Sequence, residues 1–356
     1  MKKELLTGKS LAEIEDIMKK LGASKFRAKQ VYNWIYFKSA NSFDEMTDLA
    51  VDFRNELKEK FVVSTVKLNE RQDSSDGTMK FLFELEDGAL TEAVLMRFDN
   101  RSNLTACIST QVGCPMGCAF CATGKLGYKR NLTHQEIVQQ IHLIQNNTKL
   151  KVTNIVFMGQ GEPLLNLDNF LAAVDIFNKE YQVGARRMTV SSCGIIPAIN
   201  KLAGLDFQST LAISLHASNH ETRKKIMPVE NKYKIDELIK ALKNYTQKTG
   251  RRVTIEYTLM KGINDSIEEA KELAILIDKL KCNVNLIVYN PNEYCDYQKP
   301  DKQNILKFKY ILESTGKKVT IRLERGADID AACGQLSGKK QVVWNDRHIT
   351  KKSWCD

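Results

Sequence analysis

The chain has no run of 18 or more apolar residues, so no segment reads as a membrane span. Its start, Met1-Lys2-Lys3-Glu4-Leu5-Leu6, turns polar at once and lacks the apolar centre of a secretory signal peptide. Together these absences predict a soluble cytoplasmic protein. There is no glycine-rich dinucleotide fingerprint, no internal repeat and no low-complexity segment. What is present is 356 residues at 43% apolar content, enough for one large core or a large domain with a smaller appendage. Lys and Arg total 53 against 43 Asp and Glu, a formal charge of +10. A basic surface suits a polyanion such as nucleic acid, and it equally describes a solvated surface with no such partner. Nine cysteines is an odd number, which argues against a disulfide framework and for metal binding or redox chemistry.

Residues 10–60 read as helices. Ser10 can cap a segment with Leu11, Ile14, Ile17, Met18 and Leu21 at helical spacing. Lys25 to Phe37 reads as a second helix and Asp44 to Phe61 as a further helical stretch. Basic residues and Tyr32, Trp34 and Tyr36 interleave here, which fits either RNA stacking or an ordinary amphipathic bundle. Strand-like runs follow at Thr65–Leu68, Met79–Leu85 and Glu92–Phe98, punctuated by Gly77 and Gly88. From about residue 104 strands alternate with helices. The strands are Thr105–Thr110, Asn154–Met158, Arg187–Ser191, Thr210–Leu215, Val253–Leu259, Val284–Tyr289 and Val319–Leu323. The intervening helices are Thr133–Gln145, Leu167–Asn178, Ile235–Thr246, Ile267–Leu280 and Lys302–Ser314. This grammar predicts an α/β fold with a parallel sheet closed into a complete or partial barrel. The boundaries expected are 1–62 for a helical RNA-binding accessory domain, 63–103 for a small β linker region, 104–340 for the barrel and 341–356 for a C-terminal tail.

A barrel places functional groups after the carboxyl ends of its strands. Here those positions carry a cysteine cluster, Gly159-Gln160-Gly161-Glu162-Pro163, Ser191-Ser192-Cys193-Gly194, Ser214-Leu215-His216, Tyr289-Asn290-Pro291 and Gly326 to Gly334. The cluster is Cys114-Pro-Met-Gly-Cys118-Ala-Phe-Cys121, in a loop with Gly113 and Gly117 as turns. Three close thiolates can each bind one iron of a cubane and leave the fourth iron open. A structural zinc site is the alternative, but zinc prefers four ligands and no fourth Cys or His stands nearby.

This loop resembles the radical S-adenosylmethionine (SAM) superfamily, including Phe120 before the last cysteine. Further words narrow the resemblance: Cys107-Ile-Ser-Thr-Gln-Val-Gly-Cys114, Arg130-Asn-Leu-Thr, Met158-Gly-Gln-Gly-Glu-Pro-Leu-Leu-Asn166, Ser214-Leu-His-Ala, Gly262-Ile-Asn-Asp and Asp328-Ile-Asp-Ala-Ala-Cys-Gly-Gln-Leu336. Spread over some 230 residues, they are similar to the RNA methyltransferases that act on adenine carbon 2. The resemblance implies a partial (β/α)6 TIM-like barrel, a [4Fe-4S] cluster on Cys114, Cys118 and Cys121, and two SAM molecules per turnover. It implies Gly161, Glu162, Ser191, Ser214, Leu215, His216 and Asn290 as SAM contacts. His216 alone equally fits an ordinary barrel-mouth histidine.

The chemistry fits these residues. Adenine carbon 2 is an electron-poor aromatic position that direct nucleophilic methyl transfer does not reach, so the family uses a radical and a protein thiol. By resemblance Cys333 carries the methyl group, and Cys107 releases the product and leaves a Cys107–Cys333 disulfide. Both would otherwise read as buried core cysteines. Cys193, Cys282, Cys295 and Cys355 match no such role. Glu92 resembles the family's general base for the carbon 2 proton, and otherwise reads as a surface carboxylate on a short strand. Gln160 departs from the Met often found between the glycines. The family acts on 23S ribosomal RNA and in many members on tRNA, with an electron donor such as flavodoxin or ferredoxin. A relative that methylates carbon 8 of the same ribosomal adenosine shares the cluster and both cysteines. The Gly161-Glu162-Pro163-Leu164-Leu165-Asn166 run resembles the carbon 2 group more closely.

Overall fold

A computed structural model describes residues 3–98, 103–322 and 324–337. The expected tail 341–356, Cys355, the last residues of the expected barrel range and Leu323 lie outside the described residues.

Three helices open the chain: α1 Leu11–Lys20, α2 Lys25–Tyr36 and α3 Val51–Lys60. Ser10 caps α1 through a reciprocal capping box with Glu13. Helix α3 starts later than the sequence predicts, because Phe43–Glu45 forms a separate 3₁₀ turn. The aromatics of α2 largely face inward. Tyr32 and Tyr36 are buried, and the Tyr32 hydroxyl donates to Glu180 at 2.8 Å. Trp34 donates to Asp48 at 2.6 Å. The periodic aromatics are therefore chiefly packing residues, while Phe26 and Phe37 remain exposed.

Ten strands form one sheet: β1 Lys67–Asp73, β2 Met79–Glu84, β3 Leu90–Arg97, β4 Leu104–Cys107, β5 Asn154–Phe157, β6 Met188–Ser192, β7 Thr210–Ser214, β8 Val253–Leu259, β9 Cys282–Val288 and β10 Val319–Arg322. They lie in sequence order, β10 at one edge and β1 at the other. Strands β4 to β10 pair parallel, while β1, β2 and β3 pair antiparallel onto β4. The small β region is therefore continuous with the parallel sheet. The parallel strands are buried along most of both faces, but β8 alternates: Val253, Ile255, Tyr257 and Leu259 form an apolar face, while Glu256 and Thr258 of the other face border a pocket.

Helices connect the parallel strands: α4 His134–Thr148, α5 Leu167–Lys179, α6 Ile196–Leu202, α7 His220–Ile226, α8 Ile235–Thr249, α9 Ile267–Leu276 and α10 Lys302–Ser314. Helices α6 and α7, each seven residues long, were too short to show a period in the sequence. Arg223 of α7 is wholly buried. Its guanidinium donates to Glu230 at 2.6 Å and to the carbonyls of Cys193 and Leu215 at 2.7 and 3.2 Å. It ties the ends of β6 and β7 together beneath the barrel mouth.

Candidate active site

The sequence-predicted residues converge at the carboxyl end of the parallel strands. Two adjoining pockets open there. One is walled by Cys114, Cys118 and Cys121 together with Gly161, Glu162, Ser191, Ser214 and His216. The other is walled by Cys107, Val94, Met96, Asn290 and Ala331. Cys121, Met158, Gly159, Ile287, Arg322, Cys333 and Gly334 border both. Cys333 thus stands where the pockets meet.

The cysteine loop lies within a short strand pair, Gln111–Gly113 before it and Tyr128–Asn131 after it. Gly113 has φ +72°, and a Cβ there would collide with the Gly127 carbonyl, so the strand pair requires glycine. The three thiols share the wall of one cavity, an arrangement that fits a multi-iron cluster. Burial raises all three thiol pKa values, and each is raised further by a neighbouring cysteine. Cationic iron would reverse that preference.

The loop after β5 is fixed by its backbone. A Cβ on Gly161, at φ +101°, would lie 2.5 Å from Gln111 Cβ. The buried Glu162 carboxylate accepts from the Leu164 N–H at 2.9 Å and the Cys193 N–H at 2.7 Å. Burial pushes its pKa up against these two bonds. Ser191 and Ser214 hydroxyls share a hydrogen bond of 3.1 Å. His216 is buried with φ +55°. Its Nδ1 accepts from the Thr258 N–H at 2.9 Å, so the ring is neutral and carries its proton on Nε2. Burial, with Arg223 nearby, lowers its pKa to about 3. Phe120 packs edge-on against this ring, 5.0 Å between centroids. Asn264, from Gly262-Ile-Asn-Asp, donates to the His216 and Thr258 carbonyls at 2.7 and 2.8 Å, so that word is a latch on the histidine.

Three predicted residues lie outside the wall of the pocket that holds the cluster cysteines. Leu215 is buried and walls neither pocket; its carbonyl accepts from Arg223. Asn290 borders the thiol pocket and donates to the Cys333 carbonyl at 3.1 Å. Glu92 walls neither pocket. It is buried rather than on the surface, 3.6 Å from the Lys80 ammonium.

Cys107 ends β4, opposite Val94 and Val156. Burial, with Cys333 beside it, raises its thiol to about 12, while Arg322 pulls it down. Arg322 Nη1 stands 3.4 Å from Met158 Sδ and 4.0 Å from Glu256. Both cysteines are free thiols, as is every described cysteine, so a standing disulfide is not part of the fold. Cys333 is exposed on a loop while Cys107 is buried on a strand. Of the cysteines without a predicted role, Cys193 borders the cofactor-side pocket, Cys295 donates to the Ala119 carbonyl of the cluster loop at 3.0 Å, and Cys282 is buried at the start of β9. Arg322, Lys80 and Arg223 were missed in the sequence; each is a basic residue whose burial depends on strand or helix packing.

A partial barrel with a three-cysteine loop at its mouth defines a radical SAM enzyme. Residues 108–274 match the radical SAM superfamily, and residues 5–63 match the N-terminal domain of ribosomal RNA large subunit methyltransferases. The probable dual-specificity RNA methyltransferases RlmN of Staphylococcus carnosus and Thermotoga neapolitana are each 46% identical to the chain. The first covers 93% of the chain and 92% of its own length, the second 94% and 97%. The crystal structure of a radical SAM methyltransferase from Sphaerobacter thermophilus superposes with a TM-score of 0.89 at 41% identity, covering 94% of this chain and 99% of its own. The chain belongs to the RlmN family of radical SAM RNA methyltransferases, and SAM and a [4Fe-4S] cluster are the cofactors that the family implies.

Proposed function

We propose that this protein methylates carbon 2 of adenine in 23S ribosomal RNA and in tRNA, carrying the methyl group on Cys333. The observation that carries this reading is the place of Cys333 in the wall of both pockets, with Cys107 facing it across only one. Cys114, Cys118 and Cys121 would hold the cluster, and Gly161, Glu162, Ser191, Ser214 and His216 would line the SAM site. Asn290 is better placed to hold the Cys333 loop. The bound cofactors supply one-electron cleavage of SAM to methionine and a 5′-deoxyadenosyl radical, and recover one electron when the RNA adduct is oxidised.

The Cys333 thiolate would accept a methyl group that SAM supplies, and its S-methyl group would give up a hydrogen atom to the radical that a second SAM supplies. The resulting S-methylene carbon bonds to adenine carbon 2, and Glu92 accepts the carbon 2 proton as the ring regains aromaticity. Cys107 attacks the Cys333 sulfur as a thiolate. The carbon–sulfur pair stays on carbon, which takes a proton and becomes the methyl group, and the two thiols leave as a disulfide. Cellular reductants return both to the thiol form seen here.

The N-terminal match to ribosomal RNA enzymes and the relatives' dual-specificity name support two RNA substrates. The +10 charge supports salt-sensitive phosphate binding. Among the described residues no helix is long and apolar enough to cross a membrane. We place the reaction in the cytoplasm, where both RNAs reside, with a flavodoxin or ferredoxin as electron donor. Nucleoside mass spectrometry of ribosomal and transfer RNA from cells with and without the gene tests the reading. Gene-dependent 2-methyladenosine in both RNAs is expected. Gene-dependent 8-methyladenosine would assign the protein to the carbon 8 chemistry instead.

A further inference from the structure

Strand register sets a buried lysine beside Glu92. Strands β2 and β3 pair so that Lys80 opposes Val94 and Leu82 opposes Glu92. Strands β3 and β4 pair Val94 with Cys107. Directly opposed residues share a face. Lys80, Val94 and Cys107 therefore form one row across three strands, and Glu92 stands two positions along β3 on the same face. Lys80 Nζ lies 3.6 Å from Glu92 Oε1, with the two side chains 7% and 3% exposed. Burying two charges is expensive, and an apolar pair of similar volume would serve the core at least as well. The pair therefore asks for a reason beyond stability.

The surroundings hold the backbone of Glu92 in place. Gln160 Oε1 accepts from the Glu92 N–H at 3.3 Å and from the Thr91 hydroxyl at 3.2 Å. Ser109 Oγ donates to the Glu92 carbonyl at 2.6 Å. The Gln160 side chain thereby connects the glycine loop of the cofactor-side pocket to β3. On β1 the register brings Glu70 opposite Leu82 and Gln72 opposite Lys80, so Glu70, and Glu84 further along β2, are the other carboxylates on this face, with Lys67 opposite Glu84. Cys107 is the titratable group that β4 contributes.

We propose that Lys80 is the positioning residue for the base: its ammonium holds Glu92 as an oriented carboxylate on the same face of the sheet as Val94 and Cys107, next to the wall that they make. This rests on the reading of Glu92 as the proton acceptor. In that step the carbon 2–hydrogen bond breaks, its electron pair stays in the ring, and the proton moves to the Glu92 carboxylate. A buried carboxyl group without a counter-cation favours its neutral form, which cannot accept a proton.

The test uses anaerobically reconstituted holoenzyme and RNA deuterated at carbon 2 of the target adenine. Methylation of Cys333 is read by protein mass spectrometry and deuterium release by solvent analysis. Lys80→Met, a near-isosteric change, should leave Cys333 methylation at the wild-type rate and slow deuterium release roughly 100-fold, the scale of a positioned base. Lys80→Arg should restore release to within about tenfold of wild type. Undiminished release in Lys80→Met overturns the proposal. So does an equal loss of Cys333 methylation and deuterium release, which marks a merely structural lysine. Glu92→Gln separates the two readings: wild-type release in that variant refutes the base itself, whatever Lys80→Met does.

Discussion

The two pockets that meet at Cys333 are built by different means. On the cofactor side, Glu162 has a backbone donor on each oxygen, and His216 is locked by Thr258 on its ring and by Asn264 on its carbonyl. Such groups cannot turn, which suits a site that must present fixed dipoles to a charged ligand. On the thiol side, one wall is the segment from Gly326 to Leu336. It is tied down by Asn290 at the Cys333 carbonyl, Gln335 at Pro291, Thr123 at Leu336, Ala122 at Gly334, Ser74 and Ser75 at Asp328 and Asp76 at Gly326. Those ties hold its flanks, and Cys333 itself is exposed. The carrier role proposed for Cys333 requires it to face SAM in one step and RNA in the next, which an exposed thiol on a loop held at its flanks can do. One half of the site is thus a rigid cradle and the other a tethered arm.

The sharpest way to separate the halves is to remove the arm's sulfur. Cys333→Ala should abolish RNA methylation and leave the cluster's absorbance unchanged after reconstitution. Loss of the cluster band would show that the cradle depends on the arm. Next in size is Cys107→Ala, which should lose multiple turnover and accumulate a covalent protein–RNA adduct through Cys333. The adduct would appear as a slow band on a denaturing gel. Turnover without an adduct would remove Cys107 from the release step.

The cradle was more legible in the sequence than the arm's surroundings. Cys114, Cys118 and Cys121 are close in the chain, so their spacing alone carries their chemistry. The strand-end words were readable because a parallel barrel gathers such ends at one face. Glu92 and Lys80 lie twelve positions apart on an antiparallel hairpin, and only the register brings them together. Arg223 sits in His220-Glu-Thr-Arg-Lys-Lys-Ile226, a basic run too short to show a helical period; its burial follows from the fold around it. Of the two readings open for the aromatics of α2, packing holds for Tyr32 and Tyr36, which serve the core. Arg322 was hidden because one arginine at the end of a strand gives no local pattern.

Arg322 also offers a test of how the halves communicate, because it borders both pockets. Its guanidinium draws the Cys107 thiol down from the height to which burial and Cys333 raise it, about 12 on balance. In Arg322→Met that help is lost, and the Cys107 thiolate becomes scarcer at neutral pH. Release of methylated RNA should slow about tenfold, since one pKa unit is a tenfold change in thiolate fraction. The sign is fixed: with the thiol near 12 both rates should still be rising with pH from 7 to 9, the variant's about tenfold below the wild type's throughout. Rates of product release over that range would show it, and equal rates in the two proteins would mean that Arg322 does not assist the Cys107 thiolate.

The smallest effect is expected at Asn290, which touches the arm only through the Cys333 carbonyl. Asn290→Ala removes one hydrogen bond worth about 1 kcal/mol, so methylation should fall no more than roughly tenfold. If Asn290 is a tether, the loss should fall on both Cys333 methylation and RNA methylation, with the apparent affinity for SAM unchanged. Its Oδ1 is buried without a partner, however, and a direct SAM contact would use that atom. The two roles part in one measurement: SAM titration of the Cys333 methylation rate. A raised half-saturation concentration would return Asn290 to the cradle, whereas a lowered plateau at unchanged half-saturation places it with the arm.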